Sequence, residues 1–473
     1  MLKANAAYAV GSVANSAALV LLVPYLVNRW SAGTYGLWSL LEIALLLANM
    51  LALCGADVGL MREYWNDEAL ERRRTLAGSV LLFVAGWGAA LCVLAALAGC
   101  ALRWVWPVPG FDDRLLQAGM LVLATAVFEA LFALLLTLFR IREQPERYVV
   151  LSSGRMLLFV AAVWFVVEHG GGVRAALLAR LGASGIAAVC AAVMTREQVR
   201  LVLDRSALGR VVRYGLPLLP ANLAAYVLLA SDRYFLQYFT SLEVVACYAF
   251  AYKIASVVDA LITRPFALDW APRRFRIAAE PESNTRYSAA LVLYGFAMST
   301  GMLCVLTVTP VVYRWLAPAA YARGQALVPL LLAAYAVAGL AVPLNVGIML
   351  RDQTRRLPQI QWLAAVVCTG LNVWLIPRFE LWGAGWATFV AYLVSTCSVA
   401  WLSLRLYPIR YDGSALAAVG CMLIAGVLGL HAIDHALGAV GFWSIASGMV
   451  WVVVLAAAVG RMLWIRGRRA TAA

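Results

Sequence analysis

Charged residues are scarce in this chain, and lysine is almost absent. Of 473 residues only 13% are charged, and the two lysines are Lys3 and Lys253. A soluble domain has about 25% charged and roughly 45–50% apolar residues, whereas 64% of this chain is hydrophobic. No soluble core buries that much apolar surface, so the composition excludes a water-soluble enzyme. It indicates a polytopic membrane protein.

The usual signatures of catalysis and metal binding are also missing. None of the three histidines has a metal-ligand spacing, and none of the nine cysteines forms a Cys-x-x-Cys pair. No Gly-x-x-x-x-Gly-Lys-[Ser/Thr] motif and no nucleophile–base set occurs. We therefore expect no catalytic residue, no metal and no cofactor. In a membrane protein the positive charges indicate which loops are cytoplasmic. We therefore interpret the net charge of +14 as a sign of orientation in the membrane and expect no nucleic-acid partner.

Long apolar runs recur along the whole chain. A helix needs about 20 apolar residues to cross the hydrocarbon core of a bilayer. The first run is too long for a signal peptide and has no cleavage site after it, so it counts as a retained span. The loops are too short to hold a soluble domain. The pattern predicts an all-α polytopic protein with fourteen spans at 7–27, 34–58, 78–102, 116–138, 148–167, 175–194, 216–238, 244–268, 288–308, 325–349, 359–376, 383–404, 415–433 and 441–463.

The positive charges alternate in density from loop to loop. With a cytoplasmic N-terminus, 26 of the 38 Lys and Arg residues fall in cytoplasmic segments and eight in outer ones. This distribution follows the positive-inside rule, and an odd number of spans would break it. We therefore predict that both termini are cytoplasmic. The remaining four cations lie inside spans, at Arg155, Arg180, Lys253 and Arg264.

Two segments of the chain resemble each other. Residues 26–38 and 236–250 each contain a short outer loop with Ser or Thr, a small spacer and a Tyr that enters the next span. Transporters are often built from such repeats, with the substrate site at the repeat interface. The pattern favours two six-span lobes and an added pair of spans. The predicted ranges are 1–204, 205–410 and 411–473.

A series of short motifs, in a fixed order, resembles a known family of membrane proteins. They are Ala32–Gly36, Gly55–Gly59 with Arg62, Tyr214–Pro217, Ser231–Tyr234, Tyr248–Ala255, Pro265-Phe266 and Trp270–Pro272. In these motifs the chain is similar to the Wzx-type polysaccharide flippases of the MOP superfamily, which are related to MATE transporters. It departs from the family at Thr34, where Glu is usual, and at Ala246, where Gly is usual.

The resemblance implies a function and a location. The family exports lipid-linked oligosaccharides, typically on polyprenyl pyrophosphate, for O-antigen, capsule or exopolysaccharide assembly. The implied partners are this substrate and membrane lipids, with a polysaccharide polymerase and a chain-length regulator as candidates. We expect a monomer in the bacterial inner membrane. Alternating access through a cationic central cavity is the expected mechanism.

The cations inside the spans are the candidate substrate contacts. A charge at the bilayer centre costs roughly 2.5–3.5 kcal/mol on insertion scales, so it should face the bundle interior or a wet cavity. In a regular helix Lys253 and Arg264 share one stripe, because eleven residues make about three turns. We expect Lys253, Arg155 and Arg264 to bind the anionic pyrophosphate. The alternatives are a buried ion pair for Lys253, snorkelling for Arg264, and pairing of Arg155 with Glu129.

The acids inside the spans are candidates for ion or proton coupling. They are Asp259, Glu129 and Glu42. Lys253 and Asp259 lie about 120° apart on a helix, so direct pairing is not expected. For Arg180 the favoured interpretation is snorkelling to the outer interface, and for Asp232–Arg233 it is a local interfacial charge pair.

Two other functions compete with the flippase. A MATE-like drug antiporter predicts twelve spans and an acidic cavity, which fourteen spans and Lys253 disfavour. A membrane glycan polymerase or ligase predicts a large outer loop. The longest outer loop, around 309–324, is too short for that role.

Overall fold

The structure is a computed structural model that describes residues 22–67, 69–105, 113–437, 446–457 and 460–461. Within these ranges every regular element is helical, and no strand occurs. The chain divides into two compact units. Unit 1 ends at Tyr226 and unit 2 begins at Val227.

Unit 1 is built from long apolar helices and two short ones. Residues 22–29 are helical and precede the first complete helix. The helices of unit 1 are α1 (Ala32–Leu53), α2 (Ala56–Glu63), α3 (Leu70–Val105), α4 (Asp113–Ile141), α5 (Pro145–Glu168), α6 (Val173–Thr195), α7 (Arg205–Gly215) and the first part of α8 (Leu219–Phe239). Short 3₁₀ turns occupy Arg196–Gln198 and Leu216–Leu218.

Local signals in the sequence set the helix ends in unit 1. The Ser31 hydroxyl caps α1 by accepting a hydrogen bond from the Thr34 N–H at 3.2 Å. Asp204 caps α7 in the same way, and its carboxylate accepts bonds from the Ser206 hydroxyl and the Ala207 N–H. Because these bonds favour the ionised form, they lower the pKa of the Asp204 carboxyl.

Glycine allows α2 and α7 to touch through their backbones. The chain turns between α1 and α2 at Cys54 and Gly55, both with positive φ, and Gly55 lies against Gly215. One turn later Gly59 faces Val211, and a Cβ on Gly59 would lie only 2.5 Å from the Val211 carbonyl oxygen. The Gly-x-x-x-Gly spacing therefore brings two of the motifs identified above into direct contact.

Unit 2 contains the rest of α8 and the C-terminal helices. Its elements after α8 are α9 (Leu242–Ala255), a π-helical turn (Asp259–Thr263), α10 (Arg264–Ile277), α11 (Ser283–Leu316), a 3₁₀ stretch (Ala319–Leu327), α12 (Val328–Leu344), α13 (Val346–Leu350), α14 (Arg356–Leu406) and α15 (Gly413–Leu437). Residues 446–457 are also helical. Large aromatic side chains are completely buried in this unit, among them Tyr248, Phe250 and Tyr294.

Helix α14 is two helices joined by a kink. Glu380 has φ 46° and ψ −118°, a backbone conformation that non-glycine residues rarely adopt, and Pro377 precedes it. The Arg323 guanidinium lies 2.6 Å from the Glu380 carboxylate, so an ion pair holds the side chain at the kink. The predicted spans 359–376 and 383–404 correspond to the two arms of α14.

Eleven helices in the described residues are long and apolar enough to cross a membrane. The prediction of an all-α polytopic protein is therefore confirmed. The eleven include α14 as one helix, although it contains two of the predicted spans. Most of the first predicted span (7–27) and part of the last (441–463) lie outside the described residues. The count of fourteen and the lobe ranges 1–204, 205–410 and 411–473 stay predictions.

Adding one methyl group at Gly59 tests the contact between α2 and α7. The Gly59→Ala Cβ has to push the Val211 backbone away, and such overpacking typically costs about 1–3 kcal/mol. We expect a lower unfolding temperature for the purified variant in detergent.

The matched control is Gly209→Ala, also in this helix pair. Gly209 is exposed on α7 and a Cβ there meets no atom within 4 Å. Since alanine favours helix over glycine by up to about 1 kcal/mol, this variant should be neutral or slightly stabilised. Equal unfolding temperatures for the two variants would contradict the close contact.

Candidate functional site

Four charged side chains meet inside unit 1. We call Glu42, Glu129, Arg155 and Arg180 the unit 1 charge array. They lie on α1, α4, α5 and α6, and each is at least seven residues from either end of its helix. Seven residues correspond to about 10 Å of helix, so the array lies deep within the spans.

The array is a chain of alternating charges. Glu129 Oε1 accepts bonds from Arg155 Nη1 and Arg180 Nε, both at 3.1 Å. The Ser184 hydroxyl lies 3.4 Å from the same oxygen. Arg180 Nη1 also reaches Glu42 Oε1 at 3.5 Å. The order along the array is therefore Glu42, Arg180, Glu129, Arg155, with a net charge of zero.

The array corrects one interpretation and confirms another. Arg180 does not snorkel outward, because carboxylates on α1 and α4 bind its guanidinium from within the bundle. Pairing of Arg155 with Glu129, which was one of the two alternatives for Arg155, is confirmed. The assignment of Arg155 to a substrate pathway and of Glu129 and Glu42 to coupling stays a prediction.

Lys253 has a different environment in unit 2. It lies in the last turn of α9, two residues before the helix ends at Ala255, and it is half-buried. Among the described residues no carboxylate lies within ion-pair distance of its ammonium group. The buried ion pair considered for Lys253 is therefore not found in the part of the chain that the structure describes.

The helix that follows Lys253 is irregular. The α-helix ends at Ala255, and a π-helical turn occupies Asp259–Thr263 before α10 begins. The prediction that Lys253 and Arg264 share one stripe is wrong, because it assumed a regular α-helix across this segment. Arg264 instead binds Asp259 at 2.9 Å, with its side chain 67% exposed. This spacing of five residues fits the wider π-helical turn.

Unit 2 also holds a buried charge cluster whose burial the sequence did not reveal. Asp232 is 1% and Arg233 7% exposed, so the prediction of an interfacial charge pair is wrong. The Tyr248 hydroxyl donates a hydrogen bond to Asp232 Oδ2. Arg233 lies over the ring of Tyr252, with its Cζ 4.4 Å from the ring centroid.

Asn372 and Ser231 extend this cluster in unit 2. Asn372 Nδ2 donates to the Ser231 hydroxyl at 3.3 Å. The one acid of the cluster, Asp232, therefore accepts from a hydroxyl group, and the one cation, Arg233, lies over an aromatic ring. The motifs Ser231–Tyr234 and Tyr248–Ala255 contain most of these residues, and Tyr248 and Tyr252 are spaced to share one helix face. That spacing is the signal that could have predicted the cluster.

The described side chains offer charge and hydrogen bonds rather than metal chemistry. Within the described ranges no group of three or more His, Cys, Asp or Glu side chains could hold a metal ion. The cysteines are free thiols. Each unit therefore has its own candidate residues: paired charges in unit 1, and in unit 2 a lysine without a carboxylate partner among the described residues.

Removing Glu129 should destabilise unit 1 more than removing Arg155. Glu129→Ala leaves two guanidinium groups without their shared carboxylate, and breaking a buried pair costs about 3–5 kcal/mol. Arg155→Ala leaves Glu129 bound to Arg180, so its cost should be smaller. Thermal unfolding of both variants in detergent measures the difference.

The control for this comparison is Glu168→Ala. Glu168 pairs with Arg29 at 2.8 Å, but Arg29 is more than half exposed, so a loss of about 0–1 kcal/mol is expected. If Glu129→Ala unfolds at the same temperature as Glu168→Ala, the array does not stabilise unit 1.

The hydroxyl of Tyr248 should be required for the stability of unit 2. Tyr248→Phe leaves one oxygen of the buried Asp232 without its donor, which costs about 1–3 kcal/mol. We expect a lower unfolding temperature. Tyr238→Phe is the control, because Tyr238 is 81% exposed on the same unit. A Tyr248→Phe variant as stable as Tyr238→Phe would contradict this role.

Solved structures of low sequence identity share this fold. The lipid II flippase MurJ, in an inward closed conformation, is 10% identical with a TM-score of 0.78, and the match covers 98% of this chain and 99% of MurJ. An inward-facing MATE multidrug resistance transporter of the MOP superfamily is 14% identical, with a TM-score of 0.64 over 86% and 99% of the two chains. A MOP superfamily transporter from Pyrococcus furiosus is also 14% identical, with a TM-score of 0.54 over 88% and 96%.

The sequence comparison identifies the family. No curated protein matches the chain in sequence. The family described as "Polysaccharide biosynthesis protein" matches residues 2–278. The family and the structural neighbours are flippases and transporters rather than enzymes. Since the match covers more than half of the sequence, this multi-pass membrane protein belongs to the polysaccharide biosynthesis protein family, a flippase family of the MOP superfamily.

Proposed function

We propose that this protein flips an oligosaccharide linked to polyprenyl pyrophosphate from the cytoplasmic to the outer leaflet, for O-antigen, capsule or exopolysaccharide assembly. The family acts in polysaccharide biosynthesis, and MurJ, whose fold the chain shares, flips lipid II. The physical task is to carry a polar sugar and an anionic pyrophosphate through hydrocarbon. A protein that performs it needs a cation that is accessible at membrane depth.

Lys253 is the observation that carries this proposal. It is half-buried within a span and has no carboxylate partner among the described residues, so its ammonium group is available to an anion. Arg155 and Arg264 differ, because Glu129 and Asp259 already bind their guanidinium groups. We assign the pyrophosphate contact to Lys253 and not to Arg155 or Arg264, whose charges are already balanced by carboxylates.

The helix around Lys253 supports a role in the pathway. A one-residue turn at Ser256 interrupts the α-helix, residues 257–258 are helical again, and the π-helical turn Asp259–Thr263 follows. Such turns are frequent at functional sites, and irregular backbone at membrane depth is tolerated only where protein or a wet cavity satisfies its polar groups. Asp259, at the start of this turn, is a candidate for ion or proton coupling, together with Glu129 and Glu42.

Alternating access between the two lobes is the mechanism we propose for the transport cycle. The polyprenyl tail stays in lipid while the head group crosses. An inside-negative potential favours outward movement of an anion, by about 2.3 kcal/mol per charge for every 100 mV. This term supplies a driving force without ATP.

The setting of the protein is part of the proposal. We place it in the bacterial inner membrane as a monomer with cytoplasmic termini, as the distribution of Lys and Arg predicts. A polysaccharide polymerase and a chain-length regulator are the proposed partners, since they consume the flipped unit. A drug antiporter of the same superfamily is the alternative. The lone ammonium of Lys253 disfavours it, because organic cations are repelled by a cationic site.

Replacing Lys253 tests the proposed function in cells. Lys253→Ala should abolish surface polysaccharide while the protein level in the membrane stays normal. Lipid-linked oligosaccharide should then accumulate on the cytoplasmic side. Lys253→Arg, which keeps the positive charge, is the control and should retain at least part of the export. Glycan staining, lipid extraction and immunoblotting measure the three quantities.

Two outcomes would count against the proposal. Normal polysaccharide in Lys253→Ala cells would remove Lys253 from the pathway. A deletion strain with normal surface glycan and increased sensitivity to organic cations would favour the drug antiporter instead.

A further inference from the structure

The unit 1 charge array is unsuited to hold a pyrophosphate. Its two carboxylates, Glu42 and Glu129, balance its two guanidinium groups. An anion that approaches Arg180 also approaches both carboxylates, so attraction and repulsion largely cancel. Because the array has no net charge, a ligand that binds there has to be held by hydrogen bonds and not by charge attraction.

The two ends of the array remain accessible and differ in hydrogen-bonding character. At one end Glu42 is 30% exposed and has a single long contact within the described part of the chain, so its oxygens can accept further bonds. At the other end the Arg155 side chain is 28% exposed, and since its Nε–H is buried, the terminal N–H groups of the guanidinium are the ones that can donate to a ligand. One end thus accepts hydrogen bonds and the other donates them.

Aromatic rings restrict how a ligand can approach the arginines. The Phe159 ring centroid lies 5.0 Å from Arg180 Cζ, and that of Phe132 lies 5.4 Å from Arg155 Cζ. Because the rings cover guanidinium faces, the N–H edges are the parts left for hydrogen bonding. Such a fixed set of donors and acceptors suits a polar, uncharged ligand.

We propose that the unit 1 charge array binds the hydroxyl groups of the glycan, through Glu42 as acceptor and Arg155 as donor. This inference rests on the proposed function, which supplies a lipid-linked oligosaccharide as the ligand. Sugar hydroxyls both donate and accept, and hydrogen bonds to charged groups are roughly twice as strong as neutral ones. Glu129 and Arg180 act as positioning residues that hold the two ends in place.

The depth of the array supports a ligand-binding role over packing alone. Partly exposed charges at this depth face a wet cavity or the bundle interior, because lipid exposure is costly. Glu129, in the middle of the array, is 14% exposed, whereas Glu42 and Arg155 at its two ends are 30% and 28% exposed and offer more surface to a ligand.

Two lipids that differ only in the sugar separate glycan from pyrophosphate binding. The probes are bare undecaprenyl pyrophosphate and the lipid-linked oligosaccharide extracted from cells that lack this protein. Binding of each to the purified full chain in nanodiscs is measured by native mass spectrometry. Glu42→Gln keeps the shape of the side chain and leaves the Arg180–Glu129 pair intact. We expect about tenfold weaker binding of the glycosylated lipid and a change of less than about twofold for the bare lipid.

A second variant and a control complete the experiment. Arg155→Met removes every N–H donor of this side chain and should give the same selective loss. Glu168→Gln, which alters the Arg29–Glu168 pair of the same unit, should bind both lipids like the wild type. An unfolding temperature close to the wild type for either array variant shows that the fold is retained.

The outcomes distinguish this inference from the proposed function. If both array variants bind the two lipids with equally reduced affinity, or bind both like the wild type, the array does not contact the glycan and the inference is wrong. If the wild type binds neither lipid, or no lipid-linked oligosaccharide accumulates in the deleted cells, the proposed function itself fails.

Discussion

A charge in the hydrocarbon core of a bilayer costs several kilocalories per mole unless it is paired or reaches water, and this cost governs the interior of both units. In unit 1 it is met by alternating signs, with Glu129 shared between Arg155 and Arg180. In unit 2 Asp259 pairs with Arg264. The buried Asp232 is satisfied by hydrogen bonds, one of them from the Tyr248 hydroxyl. The contacts of Glu129 and of Asp232 also fix helices to one another, because their partners lie on other helices, whereas the Asp259–Arg264 pair is local to one segment.

Pairing also decides what each cation can do. A guanidinium that already binds a carboxylate has little net attraction left for a second anion, whereas an unpaired ammonium keeps its full field. Arg155 and Lys253 are both basic residues at membrane depth, yet only Arg155 has a carboxylate partner in the described part of the chain. The positive charge of the sequence therefore overstates the positive charge available to a ligand. Function has to be assigned from the partners of each cation, and not from its sign.

The sequence was a good guide to the lengths of the spans and, at one place, to a pair of opposite charges on consecutive spans. Apolar run lengths predicted the spans, and complementary charges on neighbouring spans predicted the Arg155–Glu129 pair. It was a poor guide where two or more helices decide. Arg180 binds carboxylates on α1 and α4 instead of extending to the membrane interface. The position of Arg180 along its own helix does not reveal these partners. The burial of Asp232 depends on Tyr248, sixteen residues away. The π-helical turn has no compositional signature. The sequence therefore gave no warning that the helix is irregular, and the prediction that Lys253 and Arg264 share one face was wrong.

The position of Lys253 explains how an ammonium group is tolerated there without a carboxylate. The carbonyl groups at the C-terminal end of an α-helix carry a partial negative charge, and a cation in the last turn is stabilised by it. Lys253 lies in the last turn of α9, and after a one-residue turn at Ser256 the chain is helical again at residues 257–258 and enters the π-helical turn. The interruption is therefore local, and the field of the helix end offsets only part of the cost of the ammonium group. Because no carboxylate of the described residues binds this group, the rest of its charge is available to an anion.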